Sequence, residues 1–124
     1  MLSLYKSLDI LCDSILCIDR NVQSVAVLNN KGRVMEKISK PIFAEKFPDY
    51  LSEVFCMHHV LQISMGRDFD EKYGPINYHI NERSNLTMIA FPLEDVVVLV
   101  TTNKDMGSIT LAGKINLLLN EYRK

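Results

Sequence analysis

Val96-Val97-Val98-Leu99-Val100 is the stretch that decides the fold. It is apolar at odd and even positions alike, so both faces of the strand it forms must be covered, and only helices packed on both sides of a sheet do that. Working outward, Pro92 to Asp95 is a turn and Leu86 to Phe91 is the antiparallel neighbour before it. Glu82-Arg83-Ser84-Asn85 is a second turn, preceded by Ile76, Tyr78 and Ile80 alternating with Asn77, His79 and Asn81 at strand period. On the other side, Asp105 precedes a last helix with Leu111, Ala112, Ile115, Leu118, Leu119 and Tyr122 on its core face.

The first half carries the rest of the sandwich. Leu4, Leu8, Leu11, Ile15 and Ile18 repeat at helical spacing over residues 3–19, with Ser3 as N-cap. Val22 to Leu28 and Arg33 to Ile38 form a hairpin around Asn29-Asn30-Lys31-Gly32, whose Asn and Gly tolerate positive φ. Residues 39–48, with Pro41 and Pro48, are expected to be a loop. A second long helix is expected from Pro48-Asp49 to about Lys72, stopped by Gly74-Pro75. Its apolar positions cover more than one narrow stripe, which predicts burial on more than one side.

The sum is an α/β (α+β) sandwich in the order α-ββ-α-βββ-α. A five-stranded, mainly antiparallel sheet has the second helix on one face and the two terminal helices on the other. At 124 residues it is a single domain, 1–124. With 14 basic and 15 acidic residues and a net charge of -1, the chain has no single-sign field for nucleic acid. No stretch approaches a membrane span, and Asp9 and Asp13 break the N-terminal apolar segment, so no signal peptide is expected. Three cysteines without framework spacing point to reduced thiols and the cytoplasm.

The two sheet edges differ. The Arg33–Ile38 strand carries Arg33, Glu36 and Lys37, charges that discourage edge pairing, whereas Ile76–Asn81 carries none. An unguarded edge beside a helix with surplus apolar surface predicts a two-fold homodimer interface. Its residues are Phe55, His58, His59, Gln62 and Met65 on the helix with Ile76, Tyr78 and Ile80 on the strand. Such a contact buries on the order of 800 Å² per partner.

No catalytic constellation emerges. There is no Gly-x-Ser-x-Gly elbow and no phosphate loop. Cys56-Met57-His58-His59 is the one cluster of metal-capable side chains, but adjacent helical histidines point about 100° apart and do not chelate one ion. Asp68, Asp70 and Glu71 sit with Arg67 and Lys72 as a solvated helix end. No enzyme activity, cofactor or resident metal is expected. Ile42, Phe43 and Phe47 are expected to be exposed, and could close a small-ligand pocket between the sheet and the second helix.

Three blocks carry a resemblance: Val25-Ala26-Val27-Leu28-Asn29 with Gly32; Met65-Gly66-Arg67-Asp68-Phe69-Asp70; and Met88-Ile89-Ala90-Phe91-Pro92-Leu93 with Val96–Val100 and Lys104-Asp105. In element order and hydrophobic texture the chain resembles the roadblock / dynein light chain-like family over nearly its whole length, most closely its uncharacterised archaeal single-domain members. The resemblance implies a profilin-like, roadblock-like fold and a dimer through the second helix and third strand. It also implies a non-catalytic role in scaffolding a complex or regulating a small Ras-like GTPase. No Arg is placed as an arginine finger, so binding a GTPase is implied ahead of activating one. The alternative is a small-molecule sensor of profilin-like fold.

Overall fold

A computed structural model of the chain describes residues 7–104 and 107–123. The expected Ser3 cap, Leu4 and Asp105 lie outside the described residues. Helix α1 spans Leu8–Leu16, followed by strands β1 (Val22–Leu28) and β2 (Val34–Ser39). Helix α2 (Pro41–Lys46) leads to α3 (Glu53–Gly66), which continues through a 3-10 turn at Arg67–Phe69 into the short α4 (Asp70–Tyr73). Strands β3 (His79–Glu82), β4 (Thr87–Leu93) and β5 (Val96–Thr102) come next, then α5 (Ser108–Leu119) and a closing 3-10 turn at Asn120–Tyr122.

The five strands form one sheet in the order β2-β1-β5-β4-β3, and every neighbouring pair is antiparallel. All seven residues of β5 are buried, so the apolar run at the centre is covered on both faces. Alternation then divides the core. Val25, Val27, Ile89, Phe91, Val98 and Val100 face the terminal helices, where Leu11, Ile15, Leu111, Ile115 and Leu119 meet them. Ala26, Leu28, Met88, Ala90, Val97 and Leu99 face α3, which contributes Cys56, Val60 and Ile63. No described helix is long and apolar enough to cross a membrane.

Three local expectations are corrected. Residues 41–46 are a helix rather than part of a loop: Pro41 occupies its first turn, where a missing N–H costs nothing. Its Phe43 is buried between Phe47 and Tyr50 (ring centroids 4.9 and 4.8 Å), while Ile42 is exposed. The long helix starts later than Pro48, at Glu53, because Ser52 caps it by accepting the Phe55 N–H at 3.2 Å.

The third correction bears on the edge. Strand β3 is four residues long, begins at His79 rather than Ile76, and ends on the charged Glu82. Its register pairs His79 with Ala90 and Glu82 with Thr87. Two places further back, Asn77 would oppose Pro92, whose nitrogen has no hydrogen to give. The Pro92 carbonyl instead accepts from Arg123 Nη2 at 3.1 Å, and residues 76–78 run past the end of the ladder.

Candidate functional site at the α3–β3 margin

The eight residues expected at the edge fall on both faces of the sheet. Ile80 lies opposite Ile89 and, with Tyr78, packs toward the terminal helices; the Tyr78 ring is 5.8 Å from that of Phe91. Ile76 packs on the α3 side, its Cδ1 filling the space a Cβ at position 66 would need, so Gly66 is what admits it. Phe55 and Gln62 are half-buried, while His58 and Met65 are exposed. His59 is 1% exposed. The helix residues and Ile76 thus share one face, Tyr78 and Ile80 the other, and only the backbone of β3 joins them.

His59 is the unusual member of the set. Its ring stands edge-on to Phe55 at 4.7 Å and lies 5.2 Å from that of His58. The Arg83 guanidinium sits 5.8 Å over the other partner, Phe55. Burial, reinforced by His58, Arg83 and His79, pulls the His59 pKa down to about 4, so the imidazole is neutral at physiological pH. Neither of its ring nitrogens has a hydrogen-bond partner in the described chain.

Nor is it alone. Gln62 Oε1, His79 Nε2 and Asn81 Nδ2 are likewise buried without partners among the described residues. His79 and Asn81 lie opposite Ala90 and Met88, so alternation sends both toward α3. Gln62 follows His59 by three residues and shares its side of the helix. His79 is also held below the ordinary histidine pKa, by burial. An orphaned buried polar group costs about 1–3 kcal/mol, and four such side chains in one margin are a large local penalty. The edge expected from the sequence omits His79, Asn81 and Arg83. Their signal was the alternation itself: if Tyr78 and Ile80 face one way, residues 79 and 81 face the other.

The remaining candidates stay dispersed. Cys56 is buried in the α3 core with its thiol pKa raised by burial, and His58 points outward. Among the described residues no three His, Cys, Asp or Glu side chains gather as a metal-binding group. The cavity beside Ile42 and Phe47 is about 110 Å³, bounded by Gln23, Leu86 and Asn103 at the end of the sheet rather than by α3. A larger groove of about 540 Å³ lies on the opposite flank of α3 from β3, against the β1–β2 turn.

No protein-family model matches the sequence. No curated protein matches it either. Solved structures do match the fold. A roadblock/LC7 domain from Streptomyces avermitilis is 14% identical, with 91% of this chain aligned to 92% of that one at a TM-score of 0.66. The gliding protein MglB from Thermus thermophilus is 11% identical over 95% of this chain and 89% of its own, at a TM-score of 0.70. An MglB in a tetrameric arrangement is 12% identical over 95% and 88%, at 0.69. The chain has the roadblock/LC7 fold, and at these identities the likeness is one of fold.

Proposed function

We propose that this chain is a non-catalytic regulatory or scaffolding module that pairs with a second copy of itself along β3 and the adjoining side of α3. The observation that carries this is the set of unpartnered polar groups on His59, Gln62, His79 and Asn81 beside a sheet edge. A second copy laid against that edge supplies hydrogen-bonding backbone to β3, brings polar groups that these side chains can turn to meet, and removes the exposed apolar surface of Met65 from water. Glu82 guards only the last position of the strand. The tetrameric MglB adds support, since self-association occurs on this fold. The partner class follows from the roadblock resemblance: a small Ras-like GTPase, bound rather than activated. Ligand sensing at the Ile42–Phe47 segment has less in its favour, because its cavity of about 110 Å³ falls below the roughly 300–1,000 Å³ of small-molecule pockets.

The test is solution mass by light scattering over a dilution series. The wild-type chain is expected at twice the monomer mass, and Phe55→Asp and Ile80→Asp at the monomer mass, with circular dichroism confirming that both variants fold. A monomeric wild type, or a folded variant that stays dimeric, would overturn the interface.

A further inference from the structure

On the flank of α3 away from β3, the helix and the β1–β2 turn enclose an open groove of about 540 Å³ lined by Lys31, Gly32, Arg33, Val54, Met57 and Leu61. Its floor is apolar and open to solvent: Val54 is 82% exposed and Leu61 49%. On a helix whose Cys56, Val60 and Ile63 already fill the core, these two side chains lie outside it. Val54 to Leu61 is seven residues, about 10 Å along the axis, or two helical turns.

The opposite wall is rigid. Gly32 has φ +77°, and a Cβ there would lie 3.1 Å from the backbone N and Cα of Met57, so the turn is seated directly on α3. The Asn29 side-chain oxygen accepts from the Lys31 and Arg33 N–H groups at 2.9 and 3.0 Å, and Asn29 N–H donates to the Arg33 carbonyl at 2.9 Å. Lys31 and Arg33 therefore stand exposed on a wall that need not be ordered when something binds, which lowers the cost of association. The one carboxylate lining the groove is Glu53, at the start of α3.

We infer that this groove docks an amphipathic helix of another protein, with apolar anchors at i, i+3 or i+4 and i+7 on Val54, Met57 and Leu61 and a carboxylate-bearing flank against Lys31 and Arg33. Helix-in-groove recognition uses this anchor spacing, and the two cations select the charge. A second copy is a poorer occupant. The pairing proposed along β3 centres on the Phe55 and Gln62 side of α3 and shares only His58 with the lining of the groove, so Val54, Met57 and Leu61 stay open to a helix whether or not the chain dimerises.

The experiment is selection of a displayed library of helical 14-residue peptides on the intact protein, followed by fluorescence-anisotropy titration of the recovered sequences. Recovered peptides are expected to carry the apolar spacing and an excess of Asp and Glu. Their affinity is expected to fall at least tenfold in Leu61→Asp and in the Lys31→Glu/Arg33→Glu double variant, both exposed changes whose folding is checked by thermal melts. Affinity should be unchanged in Ile10→Asp, on the far face of the molecule. No enrichment, peptides without acidic bias, or binding indifferent to both variants would overturn the inference. So would a wild-type mass above the dimer that Leu61→Asp reduces, because the occupant would then be another copy of the chain.

Discussion

The two faces of the sheet are finished to different degrees. Against α1 and α5, eighteen buried residues close a core with no orphaned polar atom on the strands that face it. Against α3 the buried set is nine. Every strand side chain with an unpartnered buried polar atom points that way: Ser24 and Thr101, which oppose each other, and His79 and Asn81. The outer surface of the same helix exposes Val54, Leu61 and Met65. One face holds the domain together, and the other is left with surface that other molecules can complete.

The largest effects should therefore come from the terminal-helix face. Phe91, fully buried there, should cost about 3–5 kcal/mol as Phe91→Ala. Ile63→Ala, equally buried but beneath α3, should fall at the low end of the about 2–5 kcal/mol for such truncations, because a thinner layer settles more easily into the space. Urea unfolding measures both. An Ile63→Ala loss equal to that of Phe91→Ala would break the contrast.

The next effect separates the faces by pH. His59 is held neutral with a pKa of about 4 against an ordinary 6.5, so the unfolded chain takes up its proton first as pH falls. Stability from this group is complete above pH 6.5 and is lost between 6.5 and 4, about 3 kcal/mol in all. His79, lowered by burial, acts in the same sense. Asp19, lowered chiefly by the Asn21 N–H, adds stability that is complete above the usual carboxylate range and is lost only as pH falls below it. His59→Leu should flatten the acid limb. The alkaline limb belongs to the other face: burial pushes the Cys12 thiol from 9.0 up to about 12, so its contribution disappears as pH rises across that interval. An acid limb unchanged in His59→Leu would remove histidine from the account.

Much of the architecture was legible because it rests on periodicity. A strand apolar at every position has to be central, and β5 is; the charged strand and the polar-alternating strand have to be edges, and β2 and β3 are. What escaped depends on contacts between distant residues. Pro92 shortens β3 from across the ladder, an effect invisible in residues 76–78 themselves. The two prolines of residues 39–48 suggested a loop, although Pro41 also suits a helix start. Helical spacing assigns His59 to the edge with Phe55 and Gln62, but it does not reveal that the ring is buried within the chain itself. In the fold the Phe55 ring stands edge-on to it, with Arg83 reaching over Phe55 from beyond β3.

Gly32 offers a smaller test of how α3 is held. Gly32→Ala forces a left-handed conformation on alanine, about 1–2 kcal/mol, and sets its Cβ against the Met57 backbone. Chemical denaturation should show a loss of that size, accompanied by weaker peptide binding in the adjoining groove. No loss would mean that the turn lifts off α3 freely, and the rigid wall would go with it.

The smallest expected effect sharpens the contrast most directly, because it concerns a single hydrogen bond. Ser52 caps α3, whereas neither Ser7 before α1 nor Gly107 before α5 makes a side-chain cap. The terminal helices are held by the deep core they share, so the lack of a side-chain cap at Ser7 and Gly107 is tolerated. With fewer buried contacts, α3 depends more on its own local chemistry. Ser52→Ala should then cost about 1 kcal/mol, and Ser7→Ala should stay within about 0.5 kcal/mol of wild type, both measured by urea titration. Equal losses at the two positions would mean that capping matters alike on both faces, and that α3 is no more loosely held than its counterparts.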